Sequence, residues 1–214
     1  MLKTIMIFLL LFVPLYANAS NLPIGEFSKG ELSKWKEKVF DGKTQYTFVL
    51  DKQTQQSVLQ ATSSNAASGL FYKMRIDLEK TPYLNWSWNT STAFSGLDES
   101  KKAGDDFVAR IYIVVDGGLL FWKTLALNYV WSSSHKTGEK WNNPYTSNAT
   151  MFAVESGKEN LGVWQHYKRN VREDLKQLVG KDTRYIDAVA IMTDTDNSGK
   201  SATTSFGDIF FTSE

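Results

Sequence analysis

Tyr83-Leu84-Asn85-Trp86-Ser87-Trp88 is the stretch on which the fold turns. Leu84, Trp86 and Trp88 fall at every second position, with Tyr83, Asn85 and Ser87 between them. A β-strand sends successive side chains to opposite faces, so this period of two places three large apolar groups on one side. The period recurs in Phe107, Ala109, Ile111, Ile113 and Val115, which alternate with Val108, Arg110, Tyr112 and Val114. It recurs again in Leu125, Leu127, Tyr129 and Trp131. Further strands are expected at Thr44–Leu50, Ser57–Ala61, Gly69–Asp77, Thr150–Glu155, Gly162–Lys168, Tyr185–Thr193 and Ser205–Thr212, with Gly, Asn, Asp and Ser collected between them as turn formers. Such a series of short strands predicts an all-β fold, an antiparallel β-sandwich of the jelly-roll kind. One short helix is expected to cap an end of it. Asn170 and Glu173 have capping-box spacing, Val171, Leu175 and Leu178 share a face, and Gly180 suits the left-handed stop.

The chain has 214 residues, 24 Lys and Arg against 23 Asp and Glu, two His and no Cys. Met1-Leu2-Lys3, the apolar run Thr4 to Tyr16 and Ala17-Asn18-Ala19 together have the order of a cleaved signal peptide. Residues 1–19 are therefore expected to be removed on export to the periplasm or medium, leaving one β-sandwich domain over 22–214, expected to be a monomer. Loss of Lys3 balances the charges, which excludes a strongly basic nucleic-acid binder. The longest later apolar stretch, Gly117–Trp131, contains Lys123 and is too short to cross roughly 30 Å of hydrocarbon, so no transmembrane anchor is expected. Without Cys there are no disulfides and no lipid-modified Cys. A chain of this size buries roughly 70% of its unfolded surface and folds without such staples.

Asp194-Thr195-Asp196-Asn197-Ser198-Gly199 carries carboxylates at positions one and three, a hydroxyl at five and Gly at six. This matches the first half of an EF-hand calcium loop, in which oxygens converge on a hard cation around a Gly-permitted turn. The twelfth position is Ser205 rather than Glu, and strands flank the loop. The same residues equally make a polar hairpin turn. Asp105-Asp106 opens the long apolar strand, either as a turn or as a pair for acid/base work. His135 and His166 are too few and too far apart for a three-His zinc site. No nucleophile elbow, phosphate loop or dinucleotide fingerprint is present. If the Trp and Phe107–Val115 series face the core, then Asn85, Ser87, Arg110, Tyr112 and Asn128 face away. Were their strands neighbours, they would form a hydrogen-bonding face suited to sugars, with Trp122 and Trp141 as stacking platforms.

Several blocks resemble a bacterial exported family known only as a domain of unknown function, family 3047. They are Ile24-Gly25-Glu26-Phe27, Tyr83 to Trp88, Ala103-Gly104-Asp105-Asp106 with Ala109-Arg110-Ile111-Tyr112, Leu127 to Ser133, Arg169 to Asp174 and Ile191 to Gly199. The resemblance covers nearly all of the chain after the leader and brings no activity with it. A more distant resemblance is to galactose-binding-like jelly rolls, which include carbohydrate-binding modules. It rests on Glu26-Phe27 with Trp35, and on Gly207-Asp208-Ile209-Phe210-Phe211. It implies a structural calcium on the terminal strands, held by Glu26 and Asp208, although this chain has Gly-Asp where those modules often have Asp-Asp.

The expectation is thus an exported, non-catalytic domain that binds a glycan or another cell-envelope polymer. Its ligand-binding residues would be Asn85, Ser87, Asp105, Asp106, Arg110, Tyr112, Asn128 and Trp141. A calcium ion would sit either on Asp194, Asp196 and Ser198 or on Glu26 and Asp208. Two alternatives stand beside it. One is a polysaccharide lyase or hydrolase using Asp105 or Asp106 with Arg110 and Tyr112. The other is an envelope protein-interaction factor.

Overall fold

The computed structural model describes residues 21–120 and 123–214. The expected leader and Trp122 lie outside them. In chain order the strands are β1 (Asn21–Gly25), β2 (Lys36–Asp41), β3 (Gln45–Leu50), β4 (Ser57–Ser64), β5 (Ala67–Asp77), β6 (Tyr83–Thr90) and β7 (Arg110–Val115). They continue with β8 (Leu125–Ser132), β9 (Lys140–Asn143), β10 (Thr146–Ser156), β11 (Gln165–Asn170), β12 (Tyr185–Met192), β13 (Ser201–Phe206) and β14 (Ile209–Thr212). They form two seven-stranded sheets. The first runs β1-β14-β6-β13-β4-β3, with β11 also paired to β6, and the second runs β2-β5-β12-β7-β8-β10-β9. Among the described residues every pairing is antiparallel except β8 with β10, so the molecule is a β-sandwich of the jelly-roll class with one parallel pair.

β6 organises the first sheet. Asn85 pairs with both Lys168 of β11 and Phe210 of β14, and Trp88 pairs with both Gln165 of β11 and Phe206 of β13. Thus β11 takes one edge of β6, and β13 and β14 follow each other along the opposite edge. Leu84, Trp86 and Trp88 are buried, as their alternation predicts. Trp86 stacks on Tyr129 of β8 at 5.2 Å and on Tyr167 of β11 at 4.9 Å, and so joins the two sheets. Each such aromatic pair adds about 0.5–1.5 kcal/mol beyond the area it removes from water. From the second sheet Ile111, Ile113, Leu127, Tyr129, Trp131, Ile186, Val189 and Ile191 complete the same core.

Three expectations change. The strand expected over Ser205–Thr212 is two strands, β13 and β14, broken at Gly207-Asp208. There the Gly207 N–H donates to the Ser87 carbonyl, while the Asp208 carboxylate accepts from Ser28. The strand expected from Phe107 begins at Arg110, and Phe107 belongs instead to a separate cluster with Val130, Met151 and Trp141. β1, β2 and β9 were not expected. β2 is exposed along its whole length, so no burial pattern marks it in the sequence.

The helix lies where expected, as an α-helical turn (Val171–Asp174) continuing as a π-helical turn (Leu175–Val179) and closed by Gly180 at φ 77°. The Asn170 side chain accepts from the Glu173 N–H, which is the forward half of the capping box. Val171 and Leu175 are buried in the core. The Tyr129 hydroxyl donates to Asp174 at 2.7 Å, and Arg169 holds the same carboxylate from the other side. Among the described residues no helix is long and apolar enough to cross a membrane. Tyr129→Phe leaves the packing intact but deprives buried Asp174 of a donor. It should lower unfolding stability by about 1–3 kcal/mol, measured by urea denaturation.

Candidate functional site

The residues expected to share one polar face fall on opposite sides of the sandwich. Asn85 and Ser87 lie on the outer face of the first sheet, on β6. Arg110, Tyr112 and Asn128 lie on the outer face of the second, on β7 and β8. The condition that their strands be neighbours therefore holds only within each sheet.

On the first sheet the break between β13 and β14 opens a groove of about 400 Å³. Asn85 and Ser87 line its floor, with His166 and Lys168 from β11, Gly207, Asp208 and Phe210 at the break, and Ser57 and Val58 of β4. Trp164 forms a wall. Its indole N–H donates to the Asp51 carboxylate at 3.1 Å, and Asp51 also accepts the backbone N–H groups of Gln53 and Thr54 in the β3–β4 turn. The ring is thus held by a turn that is itself hydrogen-bonded. At Gly207 an added Cβ would lie 2.3 Å from Ser87 Oγ, which would have to rotate away, and 3.6 Å from the Trp164 ring. Asn85 donates to the Tyr83 carbonyl and to Thr212 Oγ1. Trp164 and Lys168 were not singled out from the sequence, His166 was weighed only as a zinc ligand, and Phe210 was quoted only as part of the closing strand. The usable signal was the alternation of Tyr167 and Arg169 with His166 and Lys168, which sends the latter two to the groove side.

On the second sheet the expected polar residues do not form an open surface but are covered by other segments. Arg110 is 5% exposed and Asn128 fully buried. Arg110 Nε donates to Asn128 Oδ1 at 3.3 Å and Nη1 donates to Asp194 Oδ2 at 3.3 Å, with Asp105 Oδ2 at 3.9 Å. Its guanidinium lies against the Phe107 and Tyr112 rings, at 5.0 and 4.6 Å. Asn143 donates to both oxygens of Asp105, and Asn128 donates to the Thr150 carbonyl. The Tyr112 hydroxyl donates to Met192 sulfur at 3.3 Å. Trp141, half-buried, stacks on His135 at 3.8 Å and packs by Phe107. Arg110 and Asp105 thus spend their hydrogen bonds inside the protein rather than on an open face.

Asp106 accepts from the N–H groups of Asn197 and Ser198, which brings the loop 194–199 onto the segment before β7. Burial raises the Asp194 carboxyl well above the usual carboxylate range. Arg110 opposes this, and Asp105, Asp106 and Asp196 add to it. Burial likewise raises Asp105 against the pull of Arg110, and it raises Asp196 with Asp106 adding to the shift. Burial pushes the Tyr112 hydroxyl up, against Arg110. The two residues expected for a terminal-strand calcium are engaged otherwise. Glu26 pairs with Lys29 at 2.6 Å, and both oxygens of Asp208 accept from Ser28.

Residues 33–210 match the profile of the protein family of unknown function DUF3047, and the chain belongs to that family. No curated protein sequence matches it. Among solved structures it is similar to the family 30 carbohydrate-binding module of the cellulosomal cellulase Cel9D-Cel44B of Clostridium thermocellum. The identity is 14%, covering 91% of this chain and 98% of that one, with a TM-score of 0.49. It is also similar to TmCBM61, solved with β-1,4-galactotriose, at 10% identity over 87% and 92% of the two chains and a TM-score of 0.41. A third likeness is to the glycoside hydrolase domain structure of Endo-D from Streptococcus pneumoniae R6, at 9% identity and a TM-score of 0.44. It covers 84% of this chain, which spans only 22% of that structure.

Removing one partner of a buried ion pair strands the other charge, a loss of about 3–5 kcal/mol, whereas replacing both is often nearly neutral. Arg110→Met is therefore expected to destabilise the fold by about that amount, and Arg110→Met with Asp194→Asn should recover part of it. Urea denaturation of the two variants beside the parent chain checks both.

Proposed function

We propose that this protein is an exported, non-catalytic binding module for a glycan of the cell envelope or its surroundings, and that the groove on the outer face of the first sheet is its binding site. The observation that carries this is the groove's chemistry. A fixed Trp164 face and the Phe210 ring stand beside Asn85, Ser87, His166, Lys168 and Asp208. Sugars present apolar ring faces edged by hydroxyls. A site for them needs flat aromatic surface together with donors and acceptors of both kinds. The volume lies within the roughly 300–1,000 Å³ of ligand pockets. Trp164 is already oriented by Asp51, so little side-chain freedom is lost on binding. The order of basic, apolar and small residues over Met1–Ala19 supports export.

A glycan array followed by calorimetric titration with the oligosaccharides that score tests this. The expected result is saturable binding that Trp164→Ala weakens by about 2 kcal/mol or more, roughly thirtyfold, as for a central aromatic anchor. The unfolding midpoint of the variant should stay near that of the parent. Absence of binding across neutral, acidic and amino-sugar polymers, or binding indifferent to Trp164→Ala, would remove the proposal.

A further inference from the structure

The loop Asp194 to Gly199 turns between β12 and β13, with Gly199 at φ 64°. Position twelve, Ser205, is committed to β13, where it pairs with Gln60 and Asn89, and so cannot close a cation loop. The sandwich brings a different carboxylate to the place. One oxygen each from Asp106, Asp194 and Asp196 lie within 4.8 Å of one another. Asp106 comes from the segment before β7, and the N–H groups of Asn197 and Ser198 hold it there.

Two further observations point to a ligand. Asp194 is 2% exposed, and its Oδ1 has no hydrogen-bond partner among the described residues, although its Oδ2 faces Arg110. Ser198 Oγ, in the same loop, is buried and equally without a partner. A buried acceptor left in this way is costly, and the cost is larger when the group carries charge. The charge count points the same way. Asp105, Asp106, Asp194 and Asp196 converge here, Arg110 pairs with Asp105 and Asp194, and among the described residues no basic side chain forms an ion pair with Asp106 or Asp196.

We propose that Asp106, Asp194 and Asp196, with Ser198 Oγ, bind one calcium ion. All the donors are oxygens, which select a hard cation. They come from two separate chain segments, and calcium tolerates an irregular set of oxygens better than magnesium does. The ion links the loop 194–199 to the segment before β7. Through the Tyr145 hydroxyl, which donates to Asn197 Oδ1 at 2.5 Å, it also reaches the connection between β9 and β10. The site lies away from the groove of the first sheet, so the glycan result neither supports nor removes it.

The test is terbium luminescence and thermal unfolding of the full chain after chelator treatment, with calcium as competitor. Terbium bound here lies near Tyr145 and should show sensitised emission that calcium displaces. Calcium should also raise the unfolding midpoint, as any ligand of the folded state must. Asp196→Asn removes a half-buried ligand whose carboxylate forms no ion pair among the described residues. It should weaken calcium at least about tenfold through the loss of ligand charge, with a metal-free midpoint equal to or above the parent's. Ser198→Ala should weaken calcium while leaving the charges in place. A cooperatively folded chain with no displaceable emission and no calcium shift overturns the proposal. So does unchanged calcium affinity in both variants.

Discussion

The alternation of β6 is the constraint on which the rest of the structure depends. Because Leu84, Trp86 and Trp88 must leave water together, the strand can present only one face to the core, and a slip of one residue would invert every side chain. Trp86 then meets Tyr129 from the opposite sheet and Tyr167 from β11, which sets the spacing of the layers and places β11 beside β6. The same alternation leaves Asn85 and Ser87 outside. The groove floor is therefore the complement of the core, obtained from the same six residues. The break at Gly207-Asp208 completes it, with the Gly207 N–H donating to the Ser87 carbonyl.

The second sheet answers a different problem. Its outer face carries Arg110 and Asn128 on strands whose inner face is fully apolar, and neither is left in water. The segment Asp105–Phe107, the Trp141 hairpin and the loop 194–199 fold over them, so that a polar row becomes a small second interior. A buried guanidinium is tolerable only when paired, and Asp194, Asp105 and Asn128 pair it. The carboxylates brought in to do so outnumber it, and the surplus gathers on the side of Asp106 and Asp196. Pairing Arg110 thus leaves an acidic cluster beside it.

Much of this fold was legible in the sequence. Large apolar residues at every second position made β6, β7 and β8 readable, although β8 is buried on its other side as well. β12 was readable as an apolar run that is buried on both sides, and the helix by its Asn170 cap, its apolar spacing and Gly180. β2 was not, because both of its faces are exposed and no alternation arises. The break between β13 and β14 was hidden because Ile209 and Phe211 continue an apolar pattern across it. The candidate sites were legible only in pieces. Asn85 and Ser87 could be assigned an outward face, but not the partner strands that make that face a groove. Asp194, Asp196 and Ser198 were readable as half a calcium loop, while Asp106, nearly ninety positions earlier in the chain, joins them only through tertiary contact. Arg110 looked like a surface ligand because strand alternation says which side a residue takes, not what folds over it.

Ligand recognition is proposed to belong to the first sheet and to Trp164. The most direct measurement is the tryptophan indole N–H spectrum of the isotope-labelled protein during titration with an oligosaccharide that binds. The Trp164 resonance, assigned by Trp164→Phe, should shift saturably with the affinity measured for the whole protein. Trp86 and Trp88, inside the core, and Trp141, on the other sheet, should hold their positions. Saturable movement of Trp141 with Trp164 unmoved would place recognition on the second sheet and contradict the claim.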